Sequence, residues 1–248
     1  MIVIPMAGLS SRFAKAGYAK PKFMLEAHGK TLFFHSLNSF NAYFETESFL
    51  FIALGSKEVK LFIDIECQKL GVSNYTVILL DEPTSGQAET VYQGLVKANV
   101  DEREPILIFN IDTFRPNYRF PDNFEISEID GYLETFIGEG KNWSNILPAA
   151  GSEFKVKLTA EKQEISEFCC TGLYYFSKSS LFKDAYSHYA ELPVEDLDAG
   201  ERYIAPMYNY LISKGDDIRY SVIPKNEVIF CGVPAEYEDF KNINVSFT

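Results

Sequence analysis

Apolar residues along this chain follow two rhythms, and the rhythm changes near the middle. In the first half, unbroken apolar runs (Ile2-Val3-Ile4, Phe49-Leu50-Phe51-Ile52, Val77-Ile78-Leu79-Leu80 and Ile106-Leu107-Ile108-Phe109) alternate with longer segments whose apolar positions recur at helical spacing. The runs predict strands over residues 1–5, 49–54, 75–80 and 106–110, and the longer segments predict helices over 31–40, 57–70 and about 86–98. Strands that lack a polar alternate are buried on both faces. Joined by helices at these spacings they imply βαβ units, hence an α/β fold with a doubly wound, Rossmann-like, mostly parallel sheet. Ligands then belong at the carboxyl ends of the strands.

In the second half, strand-like segments follow one another directly, at 131–136, 144–148, 154–160 and 170–176. Long helices are expected only at about 179–190 and 202–214. A mixed sheet that extends the first, or flaps over its carboxyl edge, accommodates this pattern and is well placed to hold a second substrate. The 248 residues read as one compact unit, without internal repeats or low-complexity segments.

Composition narrows the chemistry. With Lys+Arg 23 against Asp+Glu 35 the formal net charge is -12, and no basic run appears, so a nucleic-acid partner is excluded. The chain opens directly on a strand, without a leader pattern or an apolar run that would span a bilayer, which leads to the expectation of a soluble cytoplasmic protein with no membrane partner. Cys67, Cys169, Cys170 and Cys231 form no Cys-x-x-Cys pair and read as reduced core thiols.

Against this acidic background, cations gather in one place. The first strand runs into Ala7-Gly8-Leu9-Ser10-Ser11-Arg12, followed by Lys20-Pro21-Lys22. Small residues let backbone N–H groups wrap phosphate oxygens, Arg12 can fork onto two of them, and Lys22 serves as a mobile point charge. The loop is neither a Walker phosphate loop nor a dinucleotide fingerprint, because Gly-Lys-Ser/Thr and Gly-x-Gly-x-x-Gly are both absent. A second signal is Asn110-Ile111-Asp112, where a buried strand delivers a carboxylate suited to a hard divalent cation. A third is Thr84-Ser85-Gly86-Gln87-Ala88 after another buried strand: Thr84 or Ser85 can cap the next helix, and Gly86 leaves room for a flat ring against the backbone.

These motifs, together with Glu161-Lys162 and Thr171-Gly172-Leu173-Tyr174-Tyr175-Phe176, resemble in order the sugar-1-phosphate nucleotidyltransferases, or nucleoside-diphosphate-sugar pyrophosphorylases. The similarity covers most of the chain and is strongest to short members from capsule and surface-polysaccharide gene clusters, some of which use cytidine nucleotides. It implies a GT-A-like sheet with a nucleotide-binding half, 1–125, and a β-rich acceptor-binding half, 126–248. It implies that Ala7 and Gly8 contact the nucleoside, that Ser10, Ser11 and Arg12 hold the triphosphate, and that Lys22 stabilises charge at the α-phosphoryl. Asp112 would bind Mg²⁺. Glu161 and Lys162 would grip the phosphorylated small-molecule acceptor, with Gly172 beneath it and Arg202 as a further phosphate contact. Gly131, Tyr132, Glu134, Asn142 to Asn145 and Tyr174 would complete that pocket, where Trp143 either stacks on the substrate or packs in the core.

The opening loop reads Gly8-Leu9-Ser10-Ser11-Arg12 where the family usually carries Gly-Gly-x-Gly-Thr-Arg, and a second departure matters more. Where the resemblance implies a second metal-binding aspartate, Phe230-Cys231-Gly232-Val233-Pro234 carries Phe230 instead. Either Glu227 takes over, or water and substrate phosphates complete the shell, or activity is weakened or lost. Asp81 falls where members place a base-reading residue; a carboxylate accepts from the cytosine amino group but confronts uracil O4 with a second acceptor, so CTP is expected over UTP. Two other functions fit the fold: a glycosyltransferase, which would want a fuller Asp-x-Asp than Asn110-Ile111-Asp112, and a non-catalytic nucleotide sensor, which Phe230 favours.

Overall fold

The computed structural model describes residues 1–197 and 200–243. Its elements in chain order are β1 (Ile2–Met6), α1 (Ser11–Lys15), β2 (Glu26–Ala27), β3 (Lys30–Thr31), α2 (Leu32–Asn38), β4 (Phe49–Leu54), α3 (Lys57–Leu70), β5 (Tyr75–Leu80), α4 (Gln87–Lys97), β6 (Ile106–Phe109), β7 (Thr113–Phe114), β8 (Gly131–Ile137), β9 (Ser144–Pro148), β10 (Val156–Glu161), β11 (Phe168–Phe176), α5 (Ser179–Ala190), α6 (Tyr208–Lys214), β12 (Ile218–Ile223), β13 (Ile229–Phe230) and α7 (Pro234–Asn242). Caps mark the helix starts: the Thr31 hydroxyl accepts from Phe34 N at 3.1 Å and Ser56 from Glu58 N at 3.3 Å.

The main sheet runs β10-β9-β11-β6-β1-β4-β5, with β8 on β11 and β12 on β8. Strands β6, β1, β4 and β5 are parallel, whereas β11 is antiparallel to β6 and β8. The mixed α/β sheet inferred from the apolar runs is therefore present, its parallel part first in sequence. Alternation along β1 explains its two-sided burial. Ile2, Ile4 and Met6 pack with Phe33 and Leu37 of α2 and Ile63 and Cys67 of α3, while Val3 packs with Val91 and Leu95 of α4 and Phe182 of α5. Each such side chain contributes about 1.5–3 kcal/mol relative to exposure, so the register of β1 is strongly determined.

One expected helix is shorter than its pattern suggested. Residues 202–204 are irregular, Ala205–Met207 form a 3-10 turn around Pro206, and α6 begins only at Tyr208. The backbone of Arg202 is committed elsewhere: its N–H donates to Ser85 O at 3.0 Å and its carbonyl accepts from Ala88 N at 2.9 Å. Strand β12, the β13–β7 pair and α7 had no counterpart among the expected elements. Among the described residues no helix is long and apolar enough to cross a membrane.

Candidate active site

The crossovers from β1 proceed to β4 and β5 in one direction, whereas β6 adds to the opposite edge of β1. At this reversal the loops that follow β1 and β6 diverge and leave a crevice. Two cavities open along it. One, of about 590 Å³, lies between residues 6–9 and 83–87; the other, of about 570 Å³, faces β9, β10 and the segment 230–236. Ser11, Lys22, Gln87, Asn110, Asp112 and Tyr203 line both, so the cavities meet there.

The junction is built by short polar contacts. Ser10 adopts a left-handed conformation (φ 50°) and its hydroxyl accepts from Lys22 N at 3.2 Å, which sets the depth of the Lys22 turn. The Lys22 ammonium donates to Asp112 Oδ2 at 2.6 Å. Asn110 accepts from the Gln87 amide, and its own backbone N–H donates to Gly172 O at 3.3 Å. Strand β11 bulges at Gly172 (φ 95°), where a Cβ would lie 2.4 Å from Asn110 Nδ2. On the far side, buried Glu161 accepts from the Ser144 hydroxyl, and the Lys162 ammonium donates to the Tyr203 hydroxyl at 2.5 Å. Trp143 lies 4.5 Å from Phe230 and 5.2 Å from Phe136, centroid to centroid, and forms an aromatic wall of the second cavity.

No protein-family model and no curated protein matches this chain. Among solved structures, the nucleoside-diphosphate-sugar pyrophosphorylase from Vibrio cholerae RC9 is 51% identical and superposes with a TM-score of 0.91, over 98% of this chain and 100% of that one. The chain belongs to the nucleoside-diphosphate-sugar pyrophosphorylase family. The inositol-1-phosphate CTP transferase from T. maritima (13% identity, TM-score 0.73, 97% of this chain and 93% of that one) shares the pyrophosphorylase fold. A UDP-glucose pyrophosphorylase complexed with UDP-glucose (14%, 0.74, 97% and 96%) does so too.

Most of the residues expected from the pyrophosphorylase motifs converge. Ala7, Gly8 and Gly86 line the first cavity; Ser10, Arg12, Trp143, Glu161, Lys162 and Gly172 line the second; Ser11, Lys22 and Asp112 line both. Five expectations change. Asp81 follows β5, the outermost parallel strand, and its side chain is 96% exposed with Lys97 Nζ at 3.8 Å, so it lies outside both cavities. Glu227 lies in a 3-10 turn, not on a strand, and pairs with Arg115 Nη1 at 3.0 Å. Arg115 is buried against Glu134 (3.1 Å), so Glu227 is tied to this pair and does not line the cavity that Asp112 shares. Arg202 lines the nucleotide-side cavity, and its guanidinium is engaged by Ser85 Oγ and the carbonyls of Ala190 and Leu192 at 3.1–3.2 Å. Gly86 (φ 152°) does border the first cavity, yet a Cβ on it would lie 2.5 Å from Arg202 N and O, so its small size first admits residues 202–204, a strap held by the Arg202 backbone on Ser85 and Ala88. Gly131, Tyr132, Glu134 and Asn145 are buried and do not line the second cavity, and Gly131 and Tyr132 pair with Phe176 and Tyr175 at the far end of β11 from Gly172.

The motifs gave no role to Gln87, Glu201, Tyr203 or Glu236, all of which line the cavities. Glu236 had a readable signal: Pro234 at the first helical position and Glu236 two residues on mark a helix N-terminus. Its carboxylate accepts from Gly232 N at 2.8 Å and Val233 N at 3.2 Å; Val233 has no acceptor to return, so only half of a capping box exists. Burial raises the Glu236 carboxyl, the Gly232 and Val233 N–H groups oppose this, and Asp112 adds to the rise. Burial likewise raises the thiols of Cys170 and Cys231 and the Tyr203 phenol, so none of them is poised as a nucleophile.

Among the described residues no three His, Cys, Asp or Glu side chains gather into a metal cage. Mg²⁺ does not ask for one, since it binds through one or two carboxylates with substrate phosphates and water. The bare Cα of Gly232 leaves room beside such a donor set, because a Cβ there would lie 3.1 Å from Asp112 Oδ2 and 3.6 Å from Glu236 Oε2. The residues fit the ion.

Proposed function

We propose that this protein transfers a nucleotidyl group from a nucleoside triphosphate to a phosphorylated small-molecule acceptor, a sugar phosphate or similar metabolite, and releases pyrophosphate. The observation that carries the reading is the meeting of two cavities at Lys22 and Asp112, one rimmed by the Gly8 loop and the other by Glu161 and Lys162. An acceptor phosphate oxygen attacks the α-phosphorus in line, the new P–O bond forms as the bond to the β-phosphate bridge breaks, and pyrophosphate leaves with that electron pair. A phosphate monoester is nucleophilic enough once its repulsion from the triphosphate is neutralised, so the chain need supply only positioning and charge.

Arg12 and Lys22 neutralise the triphosphate, Lys162 holds the acceptor phosphate, and Glu161, oriented by Ser144, accepts from an acceptor hydroxyl. Asp112 would hold Mg²⁺, which when bound offsets phosphate charge. Lys22, free to leave Asp112, then turns to phosphate. The preference for CTP rested on Asp81, which lies outside the cavity, so we read the nucleotide-side wall of Thr84, Gly86 and Gln87 as selecting the base. The resemblance of the opening loop to capsule-cluster members supports a cytoplasmic role in surface-polysaccharide synthesis.

Pyrophosphate release should be measured with each of the four nucleoside triphosphates against a panel of sugar phosphates and other phosphorylated metabolites. One pairing should stand out and depend on Mg²⁺. Binding of nucleotide without release in any pairing would favour the sensor that Phe230 suggests.

A further inference from the structure

We propose that Glu236 is the second carboxylate of the cation site and replaces the aspartate whose place is taken by Phe230. The inference rests on the nucleotidyl-transfer reading above and deepens it. Strand β13 pairs with β7 through Phe230 and Thr113, and Cys231 N donates to Asp112 O at 2.8 Å, so the chain turns into α7 directly beside Asp112. Phe230 itself faces Trp143 at 4.5 Å, and its side chain carries no oxygen to offer a cation. The carboxylate comes instead from the first turn of α7. Gly232 shows the juxtaposition: a single methyl added there would touch Asp112 Oδ2 at 3.1 Å and approach Glu236 Oε2 at 3.6 Å. Both recorded hydrogen bonds of Glu236 go to Oε2, which leaves Oε1 for a ligand.

A second observation points to a cation. Asp112 Oδ2 already holds one, the Lys22 ammonium at 2.6 Å, and Arg12, Lys22, Asp112 and Glu236 line the same cavity. A divalent ion that displaces Lys22 from Asp112 would gain two anionic donors and release the lysine toward phosphate. A helix-capping role alone explains neither the approach of Glu236 to Asp112 nor a glycine between them.

The test reads metal binding, not turnover. Mn²⁺ uptake by the intact protein is titrated by electron paramagnetic resonance for the wild type, Glu236→Gln, Gly232→Ala and Glu227→Gln. Glutamine still accepts from Gly232 N and Val233 N, so the cap and the melting temperature are expected to hold while the charge is lost. Glu236→Gln should weaken Mn²⁺ binding by roughly 10- to 100-fold, the range seen when groups supporting a metal site are removed. Gly232→Ala, which alters neither carboxylate, should weaken it also, and Glu227→Gln should match the wild type. Wild-type-like Mn²⁺ binding in both Glu236→Gln and Gly232→Ala overturns the proposal, as does a wild type that takes up no Mn²⁺ or an equal loss in Glu227→Gln. Loss of Mn²⁺ in the two variants, with no pyrophosphate release by the wild type, would sustain the cation site while removing the reaction assigned to it.

Discussion

The two walls of this site are made by different means. On the nucleotide side, the Gly8 loop and Asp112 follow β1 and β6, neighbouring parallel strands packed between helices on both faces. Their places are dictated by the sheet itself. On the acceptor side, Phe230, Gly232 and Glu236 sit on a segment whose only strand is two residues long, paired with a two-residue partner. Side chains hold that segment: Arg115, one residue beyond β7, joins Glu134 at 3.1 Å and Glu227 at 3.0 Å, and the Thr171 hydroxyl donates to Glu134 at 3.1 Å. The difference teaches that the wall of the Gly8 loop and Asp112 is anchored in the core, whereas the wall formed by residues 230–236 hangs on a polar network beside the second cavity.

That contrast can be broken from either side. Arg115→Ala should have the largest effect: Glu134, 3% exposed and with its carboxyl already raised by burial, would lose its charge partner, and Glu227 would lose its tie. Breaking a buried pair in this way costs about 3–5 kcal/mol, which urea unfolding would register. An unchanged unfolding midpoint would mean that the network is not what holds the segment. Lys22→Ala should act oppositely, leaving the midpoint near that of the wild type, because Lys22 and Asp112 are both partly exposed. Turnover should fall by roughly 10²-fold or more, the scale for loss of one electrostatic stabiliser. Near-normal turnover in this variant would falsify the assignment of Lys22 to the reacting phosphates.

The same division decides what could be read from the sequence. Continuous apolar runs announce strands buried on both faces, and with them the sheet edge where Gly8, Arg12, Lys22 and Asp112 had to lie. Asp81 falls outside the crevice because it directly follows the outermost parallel strand, exposed beside Lys97, and the chain reaches the cavity wall only at residues 83–87. Residues 202–204 read as helix because their apolar spacing continues into α6; only the backbone of Arg202, bonded to Ser85 and Ala88 more than a hundred residues away, explains why they are a strap. Glu227 and Glu236 are both acidic residues near Phe230 in sequence, and no local pattern says that buried Arg115 claims the first and leaves the second facing Asp112. Partners distant along the chain have no periodicity to betray them.

The smallest expected effect is one of pH, and it falls on the seat of α7. His35 is buried, its Nε2–H donates to Ala27 O (2.9 Å), and its ring meets Phe240 of α7 at 5.1 Å and Phe114 of β7 at 5.5 Å. Burial is the chief cause that lowers its pKa below the usual 6.5; nearby His28 and Lys30 push the same way, and the bond to Ala27 opposes them. The folded protein therefore binds fewer protons at this ring than the unfolded chain, so the contribution to stability is complete above the unfolded value of 6.5 and is lost as pH falls through the lower folded value. One such group can tilt stability by no more than about 1.4 kcal/mol per pH unit. Urea midpoints at pH 7.5, 6.5 and 5.5 should therefore decline in the wild type, and His35→Phe, which keeps the aromatic packing and cannot charge, should flatten that decline whatever constant offset it adds. Parallel curves for the two proteins would show that α7 keeps its seat on acidification, and that the acceptor wall is as firmly built on this side as the nucleotide wall.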